Sequence, residues 1–170
     1  WLVVESLPVS EDIKRQTGVW REHIANYKQS LEHLAAAGIF TVCYNFMPVI
    51  DWTRTALAWR LPHGGTCMRF DAIDFAAFDI HVLQRKGAAQ SVPAPVAEEA
   101  DRRFVRMSDS DKRALAASVL AGLPGAAETL SVERVHEHLA HYGDISSERL
   151  RRHLFDFLEA VVPVAARLGI

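Results

Sequence analysis

Cysteine is scarce: two residues in a chain of 170 cannot build a disulfide framework, and Cys43 falls in an expected buried strand while Cys67 falls in an expected hairpin. An excess of charge is also missing. Nineteen basic residues against 21 acidic ones leave a net charge of −2, too little to form the electrostatic footprint of a nucleic-acid or anionic-membrane binder. No apolar run reaches transmembrane length, and the first residues lack the basic head, apolar stretch and small-residue cleavage site of a signal peptide. The expectation is a cytoplasmic protein with no nucleic acid and no membrane among its partners. No internal repeat is visible.

What is present is enough apolar material, 49% of the chain, for one domain with a sizeable core. Trp1 to Val4 reads as a strand ending at Glu5. Trp20, Ile24, Tyr27, Leu31 and Leu34 then mark one stripe of a helix that stops at Gly38, and Phe40 to Tyr44 reads as a second strand. Strand, helix, strand is a βαβ unit, which lays its strands parallel and brings their carboxyl ends to one side. A hairpin follows, Leu57–Leu61 and Thr66–Phe70 about the turn 62–65. Asp71 is expected to cap a helix over about 72–83. Residues 86–95 carry Gly, Ser, Gln and Pro and read as the least structured stretch. Further helices are expected over 96–107, 109–120 with Ser108 as N-cap, and 132–142 after Ser131, with a turn at 122–125. The last helix shows a broad stripe from Leu150 to Leu168 and stops at Gly169. Both ends look cut. The fold class expected is α/β.

The stretch from Thr41 to Thr55 is where packing gives way to chemistry. Polar groups just past a strand's carboxyl end are where α/β folds bind ligands. Arg54 can grip a carboxylate with two parallel hydrogen bonds, or form a structural ion pair with Asp51 or Asp71. Asn45 can offer its amide to a hydroxyl or tie down the loop. Glu5 can act on a ligand, support a metal ligand or pair with an arginine. Trp52 and Phe46 can wall a pocket or simply pack. His136, His138 and His141 miss the spacing of a zinc motif, whose second histidine would fall on Ala140. Arg149, Arg151, Arg152 and His153 read as a solvated helix face.

The run Tyr44-Asn45-Phe46-Met47-Pro48 with Asp51-Trp52-Thr53-Arg54-Thr55 resembles the mannonate dehydratase family. So do Val4–Pro8 with Glu11–Lys14, Arg69–Asp71 with Phe75–Phe78, and Ala121–Ala126. The resemblance implies a hydro-lyase that dehydrates D-mannonate to 2-dehydro-3-deoxy-D-gluconate in hexuronate catabolism. Its fold is a closed barrel of eight parallel strands, of which this chain is expected to be a partial TIM (β/α)8 barrel with a helical insertion. One incomplete domain over 1–170 is expected: strands and connecting helix in 1–45, substrate-side loop, hairpin and helical insertion in 46–145, barrel helix in 146–169. The resemblance also implies Mn2+ or Fe2+, a Lewis acid for the enediolate, with every metal ligand outside this chain. It further implies a homo-oligomer at full length. Arg54, Asn45, Glu5, Asp51 and Trp52 are the expected substrate-side residues, and no acid or base is singled out. By itself the chain is expected to be inactive. The alternatives are a related barrel sugar isomerase or epimerase, or a helical interaction module without catalysis.

Overall fold

The computed structural model describes residues 1–50, 52–121 and 130–170. Asp51 and the expected turn 122–125 lie outside them. Packing gathers the chain into two compact units, residues 1–48 with 142–170, and residues 49–141.

In the first unit, β1 (Val3–Pro8) and β2 (Thr41–Asn45) pair in parallel. The strand β1 runs three residues past Glu5, so Glu5 lies within a strand rather than at its end. Ser10 caps α1 (Glu11–Arg15), accepting from the Ile13 N–H at 3.3 Å. α2 (Trp20–Ala36) buries Ile24, Tyr27 and Leu31, the centre of the stripe read from the sequence, and gives way at Gly38, whose φ of 77° suits a residue without Cβ. α7 (Ser147–Leu168) is capped by the Ser146 hydroxyl and ends on Gly169. Its Phe157 and Val161 join Val9, Ile13, Ile24, Tyr27 and Leu31 in one core against which Leu7, Val42 and Phe46 pack. Phe157 stands edge-on to Tyr27, ring centroids 5.1 Å apart. Burial of Tyr27 in this core, with a smaller contribution from Tyr44, pushes its hydroxyl up to about 12. Cys43, expected to be buried, is exposed. The helices cover one face of this two-stranded sheet and alternate residues of β2 point away from them.

The second unit holds the hairpin β3 (Ala56–Arg60) and β4 (Thr66–Arg69), antiparallel and closed by the Leu61 N–H donating to the Gly65 carbonyl at 2.8 Å and the Gly64 N–H donating to the Leu61 carbonyl at 2.9 Å. α3 (Ala72–Ala77) starts on Asp71 and passes into a π-turn over Phe78–Val82, where the Leu83 N–H reaches back five residues to the Phe78 carbonyl. α4 (Ala94–Arg106) begins two residues earlier than the sequence pattern suggests. Proline is tolerated in a helix's first turn, where N–H groups have no intrahelical partner, so Pro95 does not delay it. α5 (Asp109–Leu120) opens with a capping box between Ser108 and Asp111. α6 (Val132–Tyr142) belongs to this unit up to His141. One core joins Phe78, Leu83, Leu115, Val119, Leu120 and Val135. In another, Ala76, Ala77 and Ala100 let α3 and α4 approach closely.

The stretch 86–95 is more ordered than its composition suggests. It carries a 3-10 turn at Ala89–Ser91 and a buried Ala88. Arg85 braces it by donating to both the buried carboxylate of Asp79 and the Ser91 hydroxyl.

Candidate functional site

The carboxyl end of the parallel pair is built by residues from three sequence blocks of the first unit. Asn45, the last residue of β2, lies opposite Pro8, and its Nδ2 donates to Ser6 Oγ at 2.6 Å. Ser6 itself has a left-handed backbone, φ 62°. Two residues beyond Asn45, the Met47 carbonyl accepts from Lys14 Nζ at 3.0 Å, and the same ammonium donates to Glu11 Oε1 at 2.7 Å. Lys14 is only 9% exposed, which an ammonium tolerates when its donors are satisfied by a carboxylate and a carbonyl. The Tyr142 hydroxyl donates to the other oxygen of Glu11. Burial, together with that carboxylate, pushes the Tyr142 hydroxyl far above its ordinary value.

α7 holds this arrangement from behind. His153 is 4% exposed and its Nδ1 donates to the Lys14 carbonyl at 2.8 Å, so it seats the end of α1 instead of joining the solvated face expected for it. Its neighbours Arg149, Arg151 and Arg152 do lie exposed. Gln16 adds a second tie from α1, donating to Asp156 Oδ2 at 2.6 Å.

In the second unit the loop before β3 is tied to the hairpin. The Thr55 N–H donates to the Arg69 carbonyl at 2.9 Å, and Thr55 Oγ1 donates to that carbonyl while accepting from the Asp71 N–H at 2.9 Å. Arg54 is 9% exposed; its guanidinium donates to the Ala121 carbonyl at 3.5 Å and lies 3.8 Å from Met68 Sδ. Asp71, one of the ion-pair partners considered for Arg54, is engaged by Arg69 and Arg103. Its Oδ1 also accepts from the Ile73 and Asp74 N–H groups, capping α3. Partial burial raises the Asp71 carboxyl, but the Asp74 N–H and the two guanidiniums outweigh it and leave the group below its usual value. Trp52 is 51% exposed with φ 45°.

Of the expected residues, Glu5 and Asn45 thus belong to the first unit, Trp52 and Arg54 to the second, and Asp51 lies outside the described residues. Among the described residues no three of His, Cys, Asp and Glu converge as a metal site would require, and Cys43 and Cys67 sit exposed on separate sheets. These donors do not fit a divalent ion. Ser6, Lys14, Thr55 and His153 were missed by reading the sequence for chemistry. All but His153 lie inside motif blocks, yet nothing in residue type announces a left-handed serine or a buried lysine.

A family model described as D-mannonate dehydratase matches residues 1–170. A mannonate dehydratase of Rhizobium meliloti is 55% identical over the whole chain, which spans 42% of that relative's length. One of Chromohalobacter salexigens is 52% identical, again over the whole chain and 44% of its own length. The crystal structure of mannonate dehydratase from Streptococcus suis matches with a TM-score of 0.58 at 31% identity, covering 99% of this chain and 34% of that one. The chain spans less than half of the curated relatives it matches, along all of its own length, and belongs to the D-mannonate dehydratase family.

Proposed function

We propose that the complete protein is a hydro-lyase that converts D-mannonate to 2-dehydro-3-deoxy-D-gluconate in hexuronate catabolism, and that these residues supply substrate-side parts of it. The observation that carries this reading is that motif blocks far apart in sequence bond to one another within each unit. Ser6 meets Asn45 and Lys14 meets Met47; Arg54 meets Ala121 and Thr55 meets Asp71. A match along the whole chain favours it over a sugar isomerase, an epimerase or a helical interaction module.

In this reading β1 and β2 are neighbouring strands of a closed eight-stranded barrel. Asn45 binds a substrate hydroxyl, and Arg54, whose guanidinium donates to the Ala121 carbonyl, grips the carboxylate. Glu5, Asp51 and Trp52 complete the contacts. Manganese or iron(II) is held by residues outside these, the protein works in the cytoplasm as a homo-oligomer, and the 170 residues alone are inactive. The test is turnover of D-mannonate by the full-length protein with manganese supplied, beside Arg54→Ala. Loss of a charge-assisted pair predicts a fall in kcat/KM on the order of a hundredfold. No turnover by the folded parent would refute the activity, and parent kinetics in Arg54→Ala would remove Arg54 from the site.

A further inference from the structure

The strand β1 does not run straight beside β2. Val4 pairs with Val42 and Leu7 with Tyr44, so β1 takes three residue steps where β2 takes two. Bulges are rare in parallel pairs, and they re-aim a side chain at the expense of regular pairing. Ser6 occupies this one with φ 62°, a region that side chains other than Gly, Asn and Asp seldom occupy and that persists only where the surroundings enforce it. What the bulge delivers is the Ser6 hydroxyl, 2.6 Å from the Asn45 amide at the end of β2. A tie between strands would not need it, because main-chain pairing continues on both sides, through Val3 and Val4 and again through Leu7 and Pro8.

We infer that Ser6 is the positioning residue for Asn45. Its Oγ takes one amide hydrogen, which fixes the plane of the Asn45 side chain and presents Oδ1 as an acceptor for a hydroxyl of a polyhydroxy acid. The inference rests on the function proposed above, and it names a residue that the substrate-side set did not contain. A freely rotating amide would have to be ordered on each binding event, and a fixed one does not.

Kinetics of the full-length enzyme with D-mannonate, for Ser6→Gly, Asn45→Ala and the double variant, provide the test. Glycine is at home at φ 62°, so Ser6→Gly deletes the hydroxyl and keeps the backbone. Its Tm should stay at the parent value while KM rises roughly tenfold, the size of one well-placed hydrogen bond. In the Asn45→Ala background the same change should add nothing, because the group being positioned is gone. Ser6→Ala keeps the left-handed strain and loses the bond, so it should lose both Tm and affinity. A parent KM in Ser6→Gly would overturn the inference, as would full multiplication of the two effects in the double variant. So would a Tm that falls in step with activity in Ser6→Gly. If the parent itself fails to turn over mannonate, the functional reading falls and this inference with it; a turning-over parent with a silent Ser6→Gly sinks only the role of Ser6.

Discussion

Replacing Asp71 tests how the hairpin is joined to the helices that follow it. One carboxylate caps α3 through the Ile73 and Asp74 N–H groups at 3.0 and 3.1 Å, pairs with Arg69 at the end of β4, and accepts from Arg103 of α4 at 3.1 Å. Loss of the cap costs about 1 kcal/mol. The two guanidiniums are each about a third exposed, so solvent screens them and they contribute about 0.5 kcal/mol apiece. Asp71→Ala should therefore destabilise by about 2 kcal/mol, half of it cap and half of it charge. Asp71→Asn keeps an acceptor for the cap and should lose only the charge half. The carboxyl's value is lowered in the folded state, so its charge contribution is present above the unfolded value of about 3.9 and disappears as pH falls through the lower folded one. Urea denaturation at neutral pH and at successively more acid pH should show Asp71→Asn converging on the parent in acid while the gap between Asn and Ala persists. An Asp71→Asn deficit that is unchanged below the carboxylate range, or an Ala variant no weaker than Asn, would refute the division.

Lys14→Met should cost about 2 kcal/mol, since it leaves the Met47 carbonyl and the Glu11 carboxylate without their cation; denaturation of the full-length protein measures it, and an unchanged midpoint would show that the ammonium is not needed. Phe157→Ala should cost about 3–5 kcal/mol, because the ring is fully buried and lies within about 6 Å of Tyr27, Tyr44 and Phe46. A loss below about 1 kcal/mol would place the centre of that core elsewhere.

Much of the fold was legible because it is written in local terms. The stripe from Trp20 to Leu34, Ser108 before α5, Asp71 before α3 and Gly169 after α7 each act through neighbours within a few residues, and the structure puts helices and caps at those places. What depends on distant partners was not legible. His153 looked like one more cation on a helix face until the Lys14 carbonyl, 139 residues away, was found against its ring. The composition of 86–95 suggested little order, yet Arg85 and Asp79 brace that stretch through contacts outside it. Cys43 looked buried because the run Phe40–Tyr44 is made of β-branched, aromatic and small residues, whereas the two-stranded sheet is covered on one face. The candidate site divides in the same way. Asn45 and Arg54 are proposed from chemistry and position alone, whereas the contact of Ser6 with Asn45 required the register of β1 against β2, and register is a property of two strands.

A motif is usually read as a set of groups that touch the ligand, but the bonds between these blocks suggest a division of labour. Lys14 bonds the carbonyl of Met47 and Ser6 bonds the amide of Asn45, so one acts two residues beyond the last residue of β2 and the other on that residue itself. Thr55 ties the loop bearing Trp52 and Arg54 to the residues that open α3. On the function proposed above such residues aim others, and their effects are coupled, because a loosened Met47 frees the backbone that carries Asn45. Lys14→Met and Ser6→Gly should therefore combine in KM to less than the product of their separate effects. Multiplicative behaviour in the full-length enzyme would mean that the two anchors hold separate things, and that Lys14 serves stability without aiming Asn45.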